Sequence, residues 1–149
     1  IIAGVFLAMK KVLDWRLPVF YIGTAFVIAF IAGMTHGLSP LHFALVHIGI
    51  GGLVFGGIFM LTDPVTSPVD PFGKILFAVG AAFFTMLSRF RSNMPEGVLY
   101  SILIMNMLTP MIDKYTVKPT NKDESRKLII VIAAMLVCSL LIALVWKGA

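Results

Sequence analysis

Two carboxylates stand in places where a chain this apolar needs a reason to keep them. Asp63 follows the apolar run ending at Leu61, in Thr62-Asp63-Pro64-Val65-Thr66-Ser67-Pro68. A carboxylate at a helix C-terminus meets the negative pole of the dipole. It therefore needs a partner or a cation. Thr62 and Thr66 put hydroxyls beside it, and three prolines at 64, 68 and 71 stiffen the loop. Asp113 closes Thr109-Pro110-Met111-Ile112-Asp113 next to Lys114. On residue type alone it reads as an interfacial acid facing water. Asn106 lies inside the preceding apolar segment, where a helix-helix hydrogen bond, an ion or a flavin would satisfy it. Asp70 before Pro71 reads as a helix N-cap with proline at the first position.

The remaining polar candidates are weaker. Arg89 and Arg91 precede Pro95-Glu96-Gly97. They read as interface anchors, or as a basic site for a phosphate-bearing cofactor. His42 and His47 are five apart and poorly aligned for a haem pair, which would come from facing helices. Cys138 is the single cysteine. It excludes a disulfide framework and a cysteine-rich metal centre, and no metal site is expected. No GxGxxG dinucleotide loop is present. Gly49, Gly52 and Gly56 would share one face of a continuous helix and allow close packing.

The elements that must position these residues follow from composition. Of 149 residues, 59% are hydrophobic and 13% charged, about half the charge of a soluble domain. A soluble globular domain and a disordered chain are both excluded. An all-α integral membrane protein with five to six transmembrane helices is expected, because even apolar runs without alternation are not membrane strands. Spans are placed at 1–13 (partial), 17–34, 42–61, 73–88, 97–111 and 128–146. Ile1 is not Met, and Lys10 and Lys11 follow the first apolar run, so no signal peptide is read and the chain is taken to begin inside a helix.

Alternating the loops sorts the charges. Lys10, Lys11, Arg16, Lys74, Lys114, Lys118, Lys122, Arg126 and Lys127 fall on one side, nine of the twelve basic residues. The positive-inside rule makes that side cytoplasmic, with loops 10–16, 62–74 and 113–127. Asp63 and Asp113 share it. One re-entrant segment would invert everything after it. The net charge of +5 is therefore a topology signal, and no nucleic-acid partner is expected.

The run Phe59-Met60-Leu61-Thr62-Asp63-Pro64-Val65-Thr66-Ser67-Pro68 resembles the RnfD/NqrB family of membrane subunits of ion-pumping redox complexes. So do Lys10-Lys11-Val12-Leu13-Asp14-Trp15-Arg16-Leu17-Pro18, Pro95-Glu96-Gly97-Val98, Ile102-Leu103-Ile104-Met105-Asn106 and Thr109-Pro110-Met111-Ile112-Asp113. Arg89 stands where the family places an arginine before its Pro-Glu-Gly segment. The wording of the Asp63 and Asp113 motifs is closer to RnfD.

That resemblance implies a non-autonomous subunit of the inner-membrane Rnf complex. The complex couples electron transfer between reduced ferredoxin and NAD to Na+ or H+ translocation. Expected partners are the other Rnf subunits, membrane lipid and the ion. An NqrB-like subunit of a Na+-pumping NADH:quinone reductase is one alternative; a small-solute transporter or channel half is another. The resemblance implies FMN bound covalently to a threonine of an S-G-A-T-type motif, with riboflavin as a further candidate. Gly23-Thr24-Ala25 does not match that motif, which is expected just upstream of Ile1.

The implied fold is the second of two inverted five-helix repeats of a urea-transporter-like fold, covering 1–113. Asp63 and Asp113 match acidic positions tied to cation uptake, with Thr62, Thr66 and Asn106 as supporting groups. No catalytic residue is identified. Met94 replaces a frequent aromatic. The charged linker 114–127 and the apolar segment 128–146, an additional C-terminal transmembrane helix, extend beyond the usual family end.

Overall fold

The computed structural model describes residues 10, 14–35, 39–50, 52–92, 97–116, 133 and 137. Among them every regular element is helical. Helix α1 is Arg16–Thr35, α2 is Pro40–Gly49, α3 is Leu53–Met60, α4 is Pro71–Ser92 and α5 is Gly97–Thr116. The expected spans 17–34, 73–88 and 97–111 correspond to α1, α4 and α5, with α4 and α5 running several residues further. The first and sixth expected spans lie outside the described residues, apart from isolated positions. Arg16–Met34 and Pro71–Arg91 are long and apolar enough to cross a membrane, and α2 with α3 forms a third such unit if the bent pair counts as one.

Each long helix buries one stripe. In α1 that stripe is Leu17, Tyr21, Ala25, Ile28, Ala29 and Ala32, at helical spacing. The alanines let α4 and α2 approach closely. Val19, Phe20, Val27 and Met34 on the same helix face outward. A helix apolar on every face suits a lipid surround. Pro18 falls in the first turn, where its missing N–H would have no helical acceptor. Helix α4 starts as the sequence dictates: Asp70 Oδ2 accepts from the N–H groups of Phe72 at 2.9 Å and Gly73 at 3.4 Å, with Pro71 opening the helix.

The segment 42–61 is not the single helix expected. It breaks after Gly49, and the axes of α2 and α3 differ by 66°. Gly52 has φ of +67°, a left-handed conformation that only glycine adopts without steric cost. Gly49, Gly52 and Gly56 therefore do not form one face. Past the break, Leu61 N–H donates to Gly56 O at 2.8 Å, so residues 56–60 form a π-helical turn. Close packing does occur, but at Gly56, where a Cβ would overlap Val98, and at Gly57, against the ring of Tyr21.

The broken pair traverses the bundle. Pro40 packs on Gly33 near the C-terminal end of α1. Beyond Met60, the loop 61–70 leads to Lys74, which pairs with Asp14 at the N-terminal end of α1. The chain thus passes from one end of α1 to the other between residues 40 and 70.

A chain of hydroxyls pins the core. Tyr21 Oη lies 2.9 Å from Thr85 Oγ1, and Thr85 Oγ1 lies 2.6 Å from Ser101 Oγ. This links α1, α4 and α5, and all three residues are buried. Thr85→Val keeps the shape but leaves the tyrosine hydroxyl without this partner. The expected cost is about 1–3 kcal/mol. It is read as a lowered Tm of the detergent-solubilised subunit, and an unchanged Tm would show that the hydroxyl chain adds no stability.

Candidate functional site

The loop after α3 folds around Asp63. Its Oδ1 accepts from Val65 N–H at 3.2 Å, its Oδ2 from the Thr66 hydroxyl at 3.5 Å, and its carbonyl from Ser67 N–H at 3.1 Å. This is a side-chain-capped turn of the kind aspartate favours. Thr62 donates its hydroxyl back to Ile58 O at 2.5 Å, leaving its oxygen lone pairs for another partner. The far side of the loop is held by α5, where the Thr109 hydroxyl donates to Thr66 O at 3.0 Å.

Between loop and helix lies a cleft of about 570 Å³. Phe59, Met60, Thr62, Asp63, Thr66 and Asn106 line it, with Pro64 and Ile102. Four of the residues singled out from the sequence therefore share one cavity. Asn106 Oδ1 is buried and has no hydrogen-bond partner, a condition that costs free energy unless something fills it. Pro110 sits inside α5. It has no N–H, so it also removes the usual helical donor to the Asn106 carbonyl.

Asp113 is at the same end of the bundle but does not line that cleft. Its Oδ1 accepts from Val69 N–H at 3.1 Å, tying the loop to the last turns of α5. The two acids are brought together by the loop between them and hold different positions on it. Asp113→Ala is expected to speed amide exchange at Val69 about fivefold, the equivalent of about 1 kcal/mol. Asp113→Asn keeps an acceptor and leaves it slow. Equal exchange in both variants would mean that the tether adds nothing.

Arg89 and Arg91 diverge. Arg91 is exposed at the end of α4. Arg89 is buried; its Nη1 donates to His47 O and its Nη2 to Ile50 O at 2.7 Å. The arginine therefore caps the C-terminus of α2 at the break, a role visible only once α2 is known to end there. His47 turns its Nδ1 to Phe43 O at 3.1 Å and stacks on Phe43, while His42 is exposed. Thr109 and Ile102 belong to the site although residue type and spacing did not single them out. The local pattern points the Thr109 hydroxyl only to Met105 O one turn back, at 3.1 Å, and gives no sign of Thr66.

The described parts of the three loops assigned to one side lie together. Lys74 pairs with Asp14, and Val69 bonds Asp113. The basic loop ends and the Asp63 cleft occupy one end of the bundle, and the helix break with Arg89 lies towards the other.

Residues 1–122 match the NQR2, RnfD, RnfE family. The chain is 44% identical over 119 residues to the D-type subunit of the proton-translocating ferredoxin:NAD(+) oxidoreductase complex of Clostridium ljungdahlii, covering 78% of this chain and 35% of that protein. It is 38% identical over 116 residues to the D-type subunit of the Na(+)-translocating ferredoxin:NAD(+) oxidoreductase complex of Acetobacterium woodii, covering 78% and 34%. It is 39% identical over 113 residues to the D-type subunit of the ion-translocating oxidoreductase complex of Haemophilus influenzae, covering 76% and 31%. The chain spans about a third of the length of the curated relatives it matches.

Proposed function

The chain belongs to the NQR2, RnfD, RnfE family, and on that premise we propose that it forms part of the RnfD membrane subunit of an Rnf-type ferredoxin:NAD oxidoreductase, in which it admits the translocated cation. The observation that carries this reading is the cleft in which Asp63, Thr62, Thr66 and Asn106 converge. A carboxylate, two hydroxyls and an amide oxygen with no hydrogen-bond partner are the ligand chemistry of a hard cation. Its end of the bundle carries the basic loops, which the positive-inside rule puts in the cytoplasm. Cation entry there would proceed from cytoplasm to Asp63, with Asp113 holding the loop. The fold of this reading is the second repeat of a urea-transporter-like pair, and the membrane is the cell's inner membrane.

The relatives' names include both a proton-translocating and a Na(+)-translocating complex, so the cation is given as monovalent. Partners would be the remaining Rnf subunits. FMN belongs to the longer protein in this reading. Of the two arginines considered for its phosphate, Arg89 donates to main-chain carbonyls at the helix break and Arg91 lies exposed at the end of α4.

The test uses the intact complex reconstituted in vesicles. Reduced ferredoxin plus NAD should drive ion uptake, and a complex lacking this subunit should neither assemble nor pump. Uptake that is unaffected by loss of the subunit would overturn the proposal. An NqrB-like role would instead show as quinone-dependent NADH oxidation.

A further inference from the structure

The ion-translocation reading leaves the ion open between a proton and a sodium ion, and the two ask different things of a site. A proton needs one basic group. A metal cation gives up water and needs several oxygen lone pairs around it in exchange. An amide oxygen serves the second purpose and not the first, since at neutral pH it accepts contacts without taking up a proton. The lining of the cleft has spent its hydroxyl donors. A threonine has one hydroxyl proton to give. That of Thr62 goes to Ile58 O at 2.5 Å, and that of Thr66 to Asp63 Oδ2 at 3.5 Å. Val65 N–H is used on Asp63 Oδ1, and Pro64 has no N–H. What the two threonines keep is lone pairs.

Asn106 stands apart from this group in the chain and joins it in the cleft. The Thr109 hydroxyl pins the loop to α5. Asn106 lies one turn back from Thr109, roughly 4.5 Å farther from the C-terminal end of the helix at the usual rise per residue. Phe59, Met60 and Ile102 form the apolar walls there. Its Oδ1 is buried and accepts no hydrogen bond. An amide kept for structure would be tied to a neighbouring helix. An acceptor left unpaired costs stability, and an apolar side chain of similar shape would avoid the cost. A proton held on Asp63 gives no reason to keep that oxygen. A metal cation does.

We propose that Asn106 sets which ion the cleft accepts: its amide oxygen completes, with Asp63, Thr62 and Thr66, a ligand set for a partly dehydrated sodium ion in preference to a proton. This rests on the ion-translocation reading above and narrows it. Asn106→Leu separates this role from a structural one. Removing an unpaired buried acceptor should leave the Tm unchanged or raise it. Sodium handling should worsen all the same.

The experiment reconstitutes the full complex in vesicles and drives it with reduced ferredoxin and NAD. Uptake of radioactive sodium is followed at rising sodium concentration with a protonophore present, and proton movement by a pH-sensitive dye without it. The unmodified complex should take up sodium despite the protonophore. Asn106→Leu should raise the half-saturating sodium concentration by about tenfold or more, the effect of losing one contact to a charged ion. Asn106→Ala should do the same and replaces the leucine variant if that one does not assemble. Asn106→Asp keeps oxygens at the same place and should stay within about threefold of the unmodified value. Unchanged sodium dependence in Asn106→Leu or Asn106→Ala overturns the proposal. So does an Asn106→Asp complex impaired as far as those two. Proton movement without sodium uptake by the unmodified complex overturns the proposal and leaves the translocation reading standing. Movement of neither ion overturns both.

Discussion

Asp63→Asn in the intact complex is expected to raise the ion concentration for half-maximal turnover by about tenfold or more, the equivalent of about 1.4 kcal/mol of lost ion binding. Asparagine has the shape of aspartate and keeps an oxygen for Val65 N–H, so the turn survives while the charge and the long 3.5 Å acceptor contact to the Thr66 hydroxyl are lost. The charged carboxylate attracts a cation that gives up water on entering the cleft, and the neutral amide does so far less. Maximal turnover at saturating ion should change less than the half-saturating concentration. Asp113→Asn makes the contrast. Asp113 does not line the cleft and its structural task is to accept from Val69 N–H, which asparagine also does. Its ion dependence should shift less than that of Asp63→Asn. Ion-dependent turnover that is unchanged in Asp63→Asn would remove Asp63 from the ion path.

Gly57→Leu should prevent the subunit from accumulating in the membrane. A Cβ at this position would lie 2.6 Å from Tyr21 Cδ1 and 3.1 Å from Cε1. The ring cannot simply move aside. Tyr21 is fully buried and its hydroxyl is bonded to Thr85. Relief by displacement would break the chain that joins α1, α4 and α5. Overpacking costs about 1–3 kcal/mol, and an orphaned buried hydroxyl adds about 1–3 kcal/mol. Together they remove a large part of a typical stability of about 5–15 kcal/mol. Gly23 is the control, since a Cβ there meets nothing within 4 Å. Gly23→Leu should accumulate normally in a membrane immunoblot. Gly57→Leu at the unmodified level, with an unchanged Tm, would show that α3 is not clamped to Tyr21.

Much of the fold was legible because lipid-soluble helices announce themselves by unbroken apolar runs. Helices α1, α4 and α5 fall where hydropathy puts them, and Asp70 caps α4 as its place before Pro71 requires. The grouping of Asp63, Thr62 and Thr66 was also visible, since they are neighbours in the chain. Three things were not. A glycine cluster in an apolar run fits a close-packed helix face as well as a break, and only the φ of Gly52 distinguishes them. Two partners of Arg89 are the main-chain carbonyls of His47 and Ile50, available because α2 stops there. The hydroxyl chain and the Thr109–Thr66 bond join residues 64, 16 and 43 positions apart, and no local pattern encodes such pairings.

The break also constrains the order in which the protein can be built. Helix α2 has 10 residues and α3 runs only from Leu53 to Met60. Each is about half the length of roughly 20 residues that a helix needs to cross the hydrocarbon layer unaided. Neither can be released into lipid as an independent span, because its open end would carry bare backbone groups into hydrocarbon. Carbonyls at the end of α2 are met by Arg89 of α4, and the packing of α3 is completed by Val98 of α5. Both partners are synthesised later. The segment between α1 and α4 must therefore wait, at the interface or in the insertion machinery, until the rest of the bundle arrives to receive it.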